Sequence, residues 1–150
     1  MLEFKFIYGR HGYDAARELA EETVRESGIS TSFADFSDKT WHFVGYDRGR
    51  LIAAAGMYLI DERNVKISFI TVHADYRRSY VGDLIMKALA DKAVSLGCTK
   101  AMLEAPVSKK GFFEFEGFYG YGNEFENGGK PYIMMSKDLT VVHTCRGCGG

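Results

Sequence analysis

The chain is poor in cysteine, with three in 150 residues. That number cannot build the cross-linked framework of a small secreted domain. A charge imbalance is missing as well. A formal net charge of −1 supplies no general attraction for nucleic acid or for an anionic lipid surface, so neither is expected as a partner. No apolar run approaches the roughly 18–20 residues that a membrane span requires. The short apolar start, interrupted by Lys5, does not read as a secretory leader. A cytoplasmic protein is the expectation. What is present is ordinary for a globular domain: 46% apolar and 26% charged residues, in a chain long enough for one real core. Residues 1–140 are expected to form a single domain, with 141–150 a flexible tail.

Periodicity orders the elements. Leu2, Phe4 and Phe6 alternate along a first strand. After "GRHGYD", with Asp14 as N-cap, Ala16, Leu19, Ala20, Thr23 and Val24 form a helical stripe that Gly28 closes. Residues 29–40 are polar, with Phe33 and Phe36, and read as a loop suited to acceptor recognition. "WHFVGYD" and "RLIAAAGMYLID" read as a hairpin across "DRGR". The second of these lacks alternation, so it is a strand buried on both faces. "VKISFITVH" carries an irregularity. Val65, Ile67 and Phe69 alternate on odd positions, and Ile70 and Val72 continue on even ones. A slip of that kind predicts a β-bulge near Phe69–Ile70. Then come a helix striped by Val81, Ile85, Ala88, Leu89 and Leu96, the strand "TKAMLEA", and a short helix weakened by Gly111. A terminal hairpin follows, turned by Asn127-Gly128-Gly129.

The junction "DYRRSYVG" joins the end of the slipped strand to the start of a helix. Amides of a first helical turn have no intrahelical acceptor, and the helix dipole adds partial positive charge there. Such a place receives phosphate oxygens, and Arg77 and Arg78 add charge-assisted hydrogen bonds. Gly82 permits close backbone approach. A diphosphate is the expected occupant.

These residues resemble the GNAT superfamily of acyl-CoA-dependent N-acyltransferases. The family's Arg/Gln-x-x-Gly-x-Gly/Ala loop is similar to Arg77-Arg78-Ser79-Tyr80-Val81-Gly82, with Tyr80 in place of the middle glycine. Its Phe-Tyr-x-x-x-Gly-Phe run is similar to Phe112-Phe113-Glu114-Phe115-Glu116-Gly117-Phe118, with Phe113 in place of the tyrosine. Pro106 stands where many members have an asparagine. The resemblance implies a mixed α/β fold of the α+β kind: a mostly antiparallel sheet of six to seven strands, helices on both faces, splayed at a bulged central strand. It implies acetyl-CoA as acyl donor and a small-molecule or peptide amine as acceptor, attacking the thioester directly. A homodimer is left open.

The resemblance also assigns residues. Ile70, Thr71 and Val72 would bind pantetheine through backbone groups. Arg77, Arg78, Ser79, Tyr80, Val81, Gly82 and Asp83 would wrap the diphosphate, with Phe112 and Phe113 beside the cofactor. The Val72 amide would hold the developing oxyanion. Glu104, near the end of its strand, is the candidate base. Phe113 cannot protonate a departing thiolate. Tyr119 as first candidate, or else Tyr121 or Tyr80, would then take that role, or the thiolate leaves unprotonated. A further alternative is an acyl-CoA-binding domain without turnover. The aromatic set Phe33, Phe36, Trp41, Tyr58 and Tyr132 reads as acceptor pocket or core. In the tail, His143, Cys145 and Cys148 offer three soft ligands where a structural zinc site wants four, and no metal is expected.

Overall fold

The structure is a computed structural model that describes residues 2–9, 39–77 and 80–140. Seven strands form one mixed sheet: β1 (Leu2–Tyr8), β2 (Trp41–Asp47), β3 (Arg50–Leu59), β4 (Asn64–Val72), β5 (Lys100–Pro106), β6 (Tyr119–Asn127) and β7 (Lys130–Asp138), in the order β1-β2-β3-β4-β5-β7-β6. Only β4 and β5 run parallel; the other neighbours are antiparallel. Two helices are described, α1 (Val81–Ser95) and α2 (Lys110–Phe115). The helix expected over 14–28, the loop over 29–38 and the tail with Cys145 and Cys148 lie outside the described residues.

Turn chemistry accounts for both hairpins. β2 and β3 are joined by Arg48 and Gly49, both at positive φ (52° and 82°). β6 and β7 are joined by Gly128 and Gly129, at 58° and 80°. Two consecutive left-handed residues make the tight turn whose twist matches paired strands. β3 is apolar on both sides because it lies inside the sheet, and Ile52 to Met57 are buried without a break. α1 buries Val81, Ile85, Met86, Leu89 and Ala93, close to the expected stripe. Gly97, at φ 91°, ends it.

The main core lies between the sheet and the two described helices, with Val65 and Ile67 of β4, Leu103 and Ala105 of β5, and Phe113 of α2. Lys92 of α1 reaches over the Trp41 ring at 4.0 Å, so Trp41 belongs to this packing. A second cluster, Val44, Ala54 and Phe69, occupies the opposite face.

The phase slip in β4 is a bulge, one residue earlier than the expected Phe69–Ile70. Met57 pairs with Ile67 while its neighbour Gly56 pairs with Phe69, so Ser68 is the extra residue. Val65 and Ile67 face the main core, as do Ile70 and Val72 beyond the bulge, and Phe69 turns to the second cluster. The position follows from packing. A Cβ on Gly56 would stand 2.4 Å from the Phe69 ring, so this glycine is what lets the ring lie flat on its cross-strand partner. Ser68, small and polar, takes the bulge and donates its hydroxyl to the Gly56 carbonyl at 3.2 Å.

Candidate active site

The bulge has a topological consequence. β4 and β5 pair over four rungs, from Asn64↔Lys100 to Ile67↔Leu103. Beyond Ile67, β4 continues paired with β3 alone, and β5 continues paired with β7 alone. The sheet is forked at its centre. The His73 amide donates to the Ile52 carbonyl at 2.7 Å, toward β3. Successive strand residues point their amides to opposite edges, so the Val72 and Ile70 amides point into the fork and that of Thr71 points to β3. The Thr71 side chain is buried. Arg77, after the short 3-10 turn Ala74–Tyr76, donates its Nε to the Val72 carbonyl at 2.9 Å. Its guanidinium therefore stands at the mouth of the fork.

The loop is pinned to the sheet. The Tyr76 hydroxyl hydrogen-bonds the Asp47 carboxylate at the end of β2. That bond holds Asp47 below the usual carboxylate range and pushes the Tyr76 phenol up. The Arg50 guanidinium donates to His73 Nε2 at 2.6 Å. α1 then starts at an exposed Tyr80 whose side chain makes no capping hydrogen bond. Arg78 and Ser79 lie outside the described residues. Gly82 has a role the sequence did not suggest. A Cβ there would lie 3.3 Å from the Phe112 ring, so the close approach it permits is that of α2. Phe112 is partly exposed against this turn, whereas Phe113 is buried in the main core, edge-on to Phe112 and Phe118. Asp83 turns its carboxylate to Lys87, at 2.8 Å, and to Glu116.

Glu104 is the first β5 residue beyond the paired rungs. Its neighbours Leu103 and Ala105 face the main core, so by strand alternation its side chain lies on the face opposite α1. Lys66 Nζ holds its Oε1 at 3.3 Å across the base of the fork. On the same face, Tyr132 of β7 stands opposite Pro106 and is buried. Burial first, then the Glu104 carboxylate, raise the Tyr132 phenol above its ordinary value.

Tyr119 is a correction. It pairs with Ser136 on the edge strand and lines a shallow groove with Asn64, Thr99, Lys100, Asp138 and Thr140, at the zipped end of β4 and β5. It does not stand at the fork, because β7 lies between β6 and β5. Sequence reasoning missed Lys66 and Glu116. Lys66 alternates with the buried Val65 and Ile67 and gave no signal of its own. Glu116 follows Phe113 by three residues, which places it on the buried side of α2.

A mixed sheet forked at a bulged strand, with a basic loop and a helix start at its mouth, is the arrangement that the resemblance to the N-acyltransferases implies. The acetyltransferase (GNAT) domain family matches residues 7–139. The chain belongs to that family. YjcF of Bacillus subtilis (strain 168), an uncharacterized N-acetyltransferase, is 30% identical over 128 residues, covering 83% of this chain and 91% of YjcF. The crystal structure of Escherichia coli ElaA superposes with a TM-score of 0.79 at 20% identity, covering 92% of this chain and 100% of ElaA. The Escherichia coli ribosomal-protein-S18-alanine N-acetyltransferase superposes at 0.70 and 17% identity, covering 95% of this chain and 96% of that enzyme. Among the described residues no helix is long and apolar enough to cross a membrane.

Proposed function

We propose that the chain transfers an acetyl group from acetyl-CoA to a primary amine, on a small molecule or a peptide, by direct attack on the thioester. The observation that carries this reading is the fork itself: two central strands part after Ile67↔Leu103, and the Val72 and Ile70 amides face the space between them. These residues suit the donor. An extended pantetheine arm takes the place of a missing strand, meeting the free edge of β4. Arg77 and the first-turn amides of α1 suit a diphosphate. The Val72 amide, aimed across the fork, donates to the thioester oxygen as negative charge develops there. Holding amine and thioester together supplies much of the acceleration.

The amine approaches from the face opposite α1, where Glu104 lies. It must shed a proton before it attacks, and the Glu104 carboxylate accepts it directly or through one water. Lys66 holds that carboxylate at the base of the fork. Phe113, a phenyl ring without a proton to give, and Tyr119, on the edge strand beyond β7, take no part in protonating the thiolate. An aliphatic thiol, with a pKa of about 8.5, is a competent leaving group without a protein acid.

Thiol release from acetyl-CoA with a panel of amines tests the reading. Turnover with at least one amine is expected, and Glu104→Gln should lower kcat by about a hundredfold or more with the cofactor still bound. Tight CoA binding with no turnover on any amine would instead support a binding domain. An unaffected Glu104→Gln rate would remove the base assignment.

A further inference from the structure

A charged cluster lies behind the α1 amides and plays no part in the chemistry above. Glu116 follows the last turn of α2 and is only 7% exposed. Its carboxyl lies beside that of Asp83, in the first turn of α1, within reach of a hydrogen bond. Two carboxylates have only acceptor lone pairs, so a bond between them requires a shared proton. Lys87, one turn further along α1, donates to Asp83 Oδ2 at 2.8 Å. That contact makes Asp83 the ionised member and Glu116 the acid. Lys137 of β7 also faces Glu116, with Asp91 of α1 acting on Lys137 in turn. Among the described residues the Glu116 Oε1 has no hydrogen-bond partner. An unbonded oxygen of a neutral acid is far cheaper to bury than one of a carboxylate.

We propose that Glu116 is a positioning residue for the cofactor: its buried carboxyl, bonded to Asp83, holds the first turn of α1 against the end of α2 and so fixes the amides that receive the diphosphate. This rests on the diphosphate placement proposed above. The contact between Gly82 and the Phe112 ring is part of the same clamp, since it joins the same two elements one residue from Asp83. The shared proton also sets the charge behind the anion site. While it is held, Asp83, Glu116 and Lys87 sum to zero. When it leaves, a second negative charge sits behind the phosphates, with Lys137 to offset it. Burial first, then Asp83, raise the Glu116 acid to about 7, so cofactor affinity falls as pH rises past neutrality.

Calorimetric binding of CoA to the wild-type chain, Glu116→Gln and Glu116→Ala tests this. The glutamine amide donates to Asp83 and carries no titrating proton. Between about pH 6 and about pH 8.5, wild-type affinity should fall about fivefold relative to Glu116→Gln, as expected for one unit charge acting at close range through a screened medium. Taking the ratio cancels titration of the ligand's own phosphates. Glu116→Ala should bind more weakly at both pH values; should it fail to fold, the glutamine ratio decides. A flat ratio, or alanine binding as tight as wild type, overturns the positioning role. A folded wild type that binds no CoA at either pH overturns the diphosphate placement instead.

Discussion

Deleting Ser68 removes the bulge and nothing else from the register of the sheet. In the native pairing Ile67 faces Met57 and Phe69 faces Gly56, with Ser68 unmatched between them. Without Ser68, Phe69 follows Ile67 directly, and regular alternation keeps Ile70 and Val72 on the main-core face and Phe69 and Thr71 on the other. The deletion forfeits one serine-to-carbonyl hydrogen bond, worth about 0.5–1.5 kcal/mol net. Urea unfolding should therefore report a stability loss within about 2 kcal/mol. Cofactor binding should suffer far more. If the bulge is what parts β4 from β5, the regular strand extends its parallel ladder past Ile67↔Leu103 and closes the edge offered to the donor. Two or three backbone hydrogen bonds at about 1 kcal/mol each correspond to roughly 30–150-fold in CoA affinity. The assay is calorimetric CoA titration of the deletion variant, alongside its unfolding curve. A folded variant that binds CoA as tightly as the native chain would refute the argument that the bulge opens the fork.

Other outcomes follow from the same geometry. Glu116 is raised from 4.5 to about 7, a folded-state preference for the acid of roughly 3 kcal/mol, part of which the opposite shift of Asp83 returns. Its stabilising contribution is full below pH 4.5 and is lost as pH rises to about 7. Glu116→Gln should therefore match the wild type near pH 5 and melt roughly 4–8 °C above it near pH 8, for about 2 kcal/mol retained; parallel Tm profiles would exclude the shared proton. Gly56→Ala drives a Cβ to 2.4 Å from the Phe69 ring and should cost about 1–3 kcal/mol in urea unfolding; an unchanged midpoint would show that the ring moves freely. Arg77→Ala removes the guanidinium at the mouth of the fork and should weaken CoA by about 1.5–3 kcal/mol, read as a raised KM for acetyl-CoA. An unchanged KM would place the diphosphate elsewhere.

Local pattern carried most of the fold. Alternation at Leu2, Phe4 and Phe6 marked β1, the unbroken apolar run marked β3 as interior, and glycines at left-handed positions marked both hairpin turns. Even the bulge was legible, because the slip between Val65–Ile67 and Ile70–Val72 is written in residues that follow one another; the fork was only implied by the resemblance. The bulge was displaced by one residue because Phe69 is anchored by Gly56, a partner on another strand. The junction of β4, Arg77 and the start of α1 was legible for the same local reason, although Gly82 turned out to admit the Phe112 ring.

Tertiary structure alone decided what depends on strand order and on partners far along the chain. A terminal hairpin can add to β5 through either of its strands. Here β7 takes that place, which carries Tyr119 away from the fork and brings Tyr132 to the side of Glu104. Lys66 and Glu104 meet across 38 positions of sequence. Asp83 and Glu116 meet because α1 and α2 both lie on one face of the sheet. Side-chain periods of 2 and 3.6 residues are set by the backbone of a single segment, so sequence displays them. Which segments become neighbours is set by burial summed over the whole domain, and the charges and protons at the site follow from that.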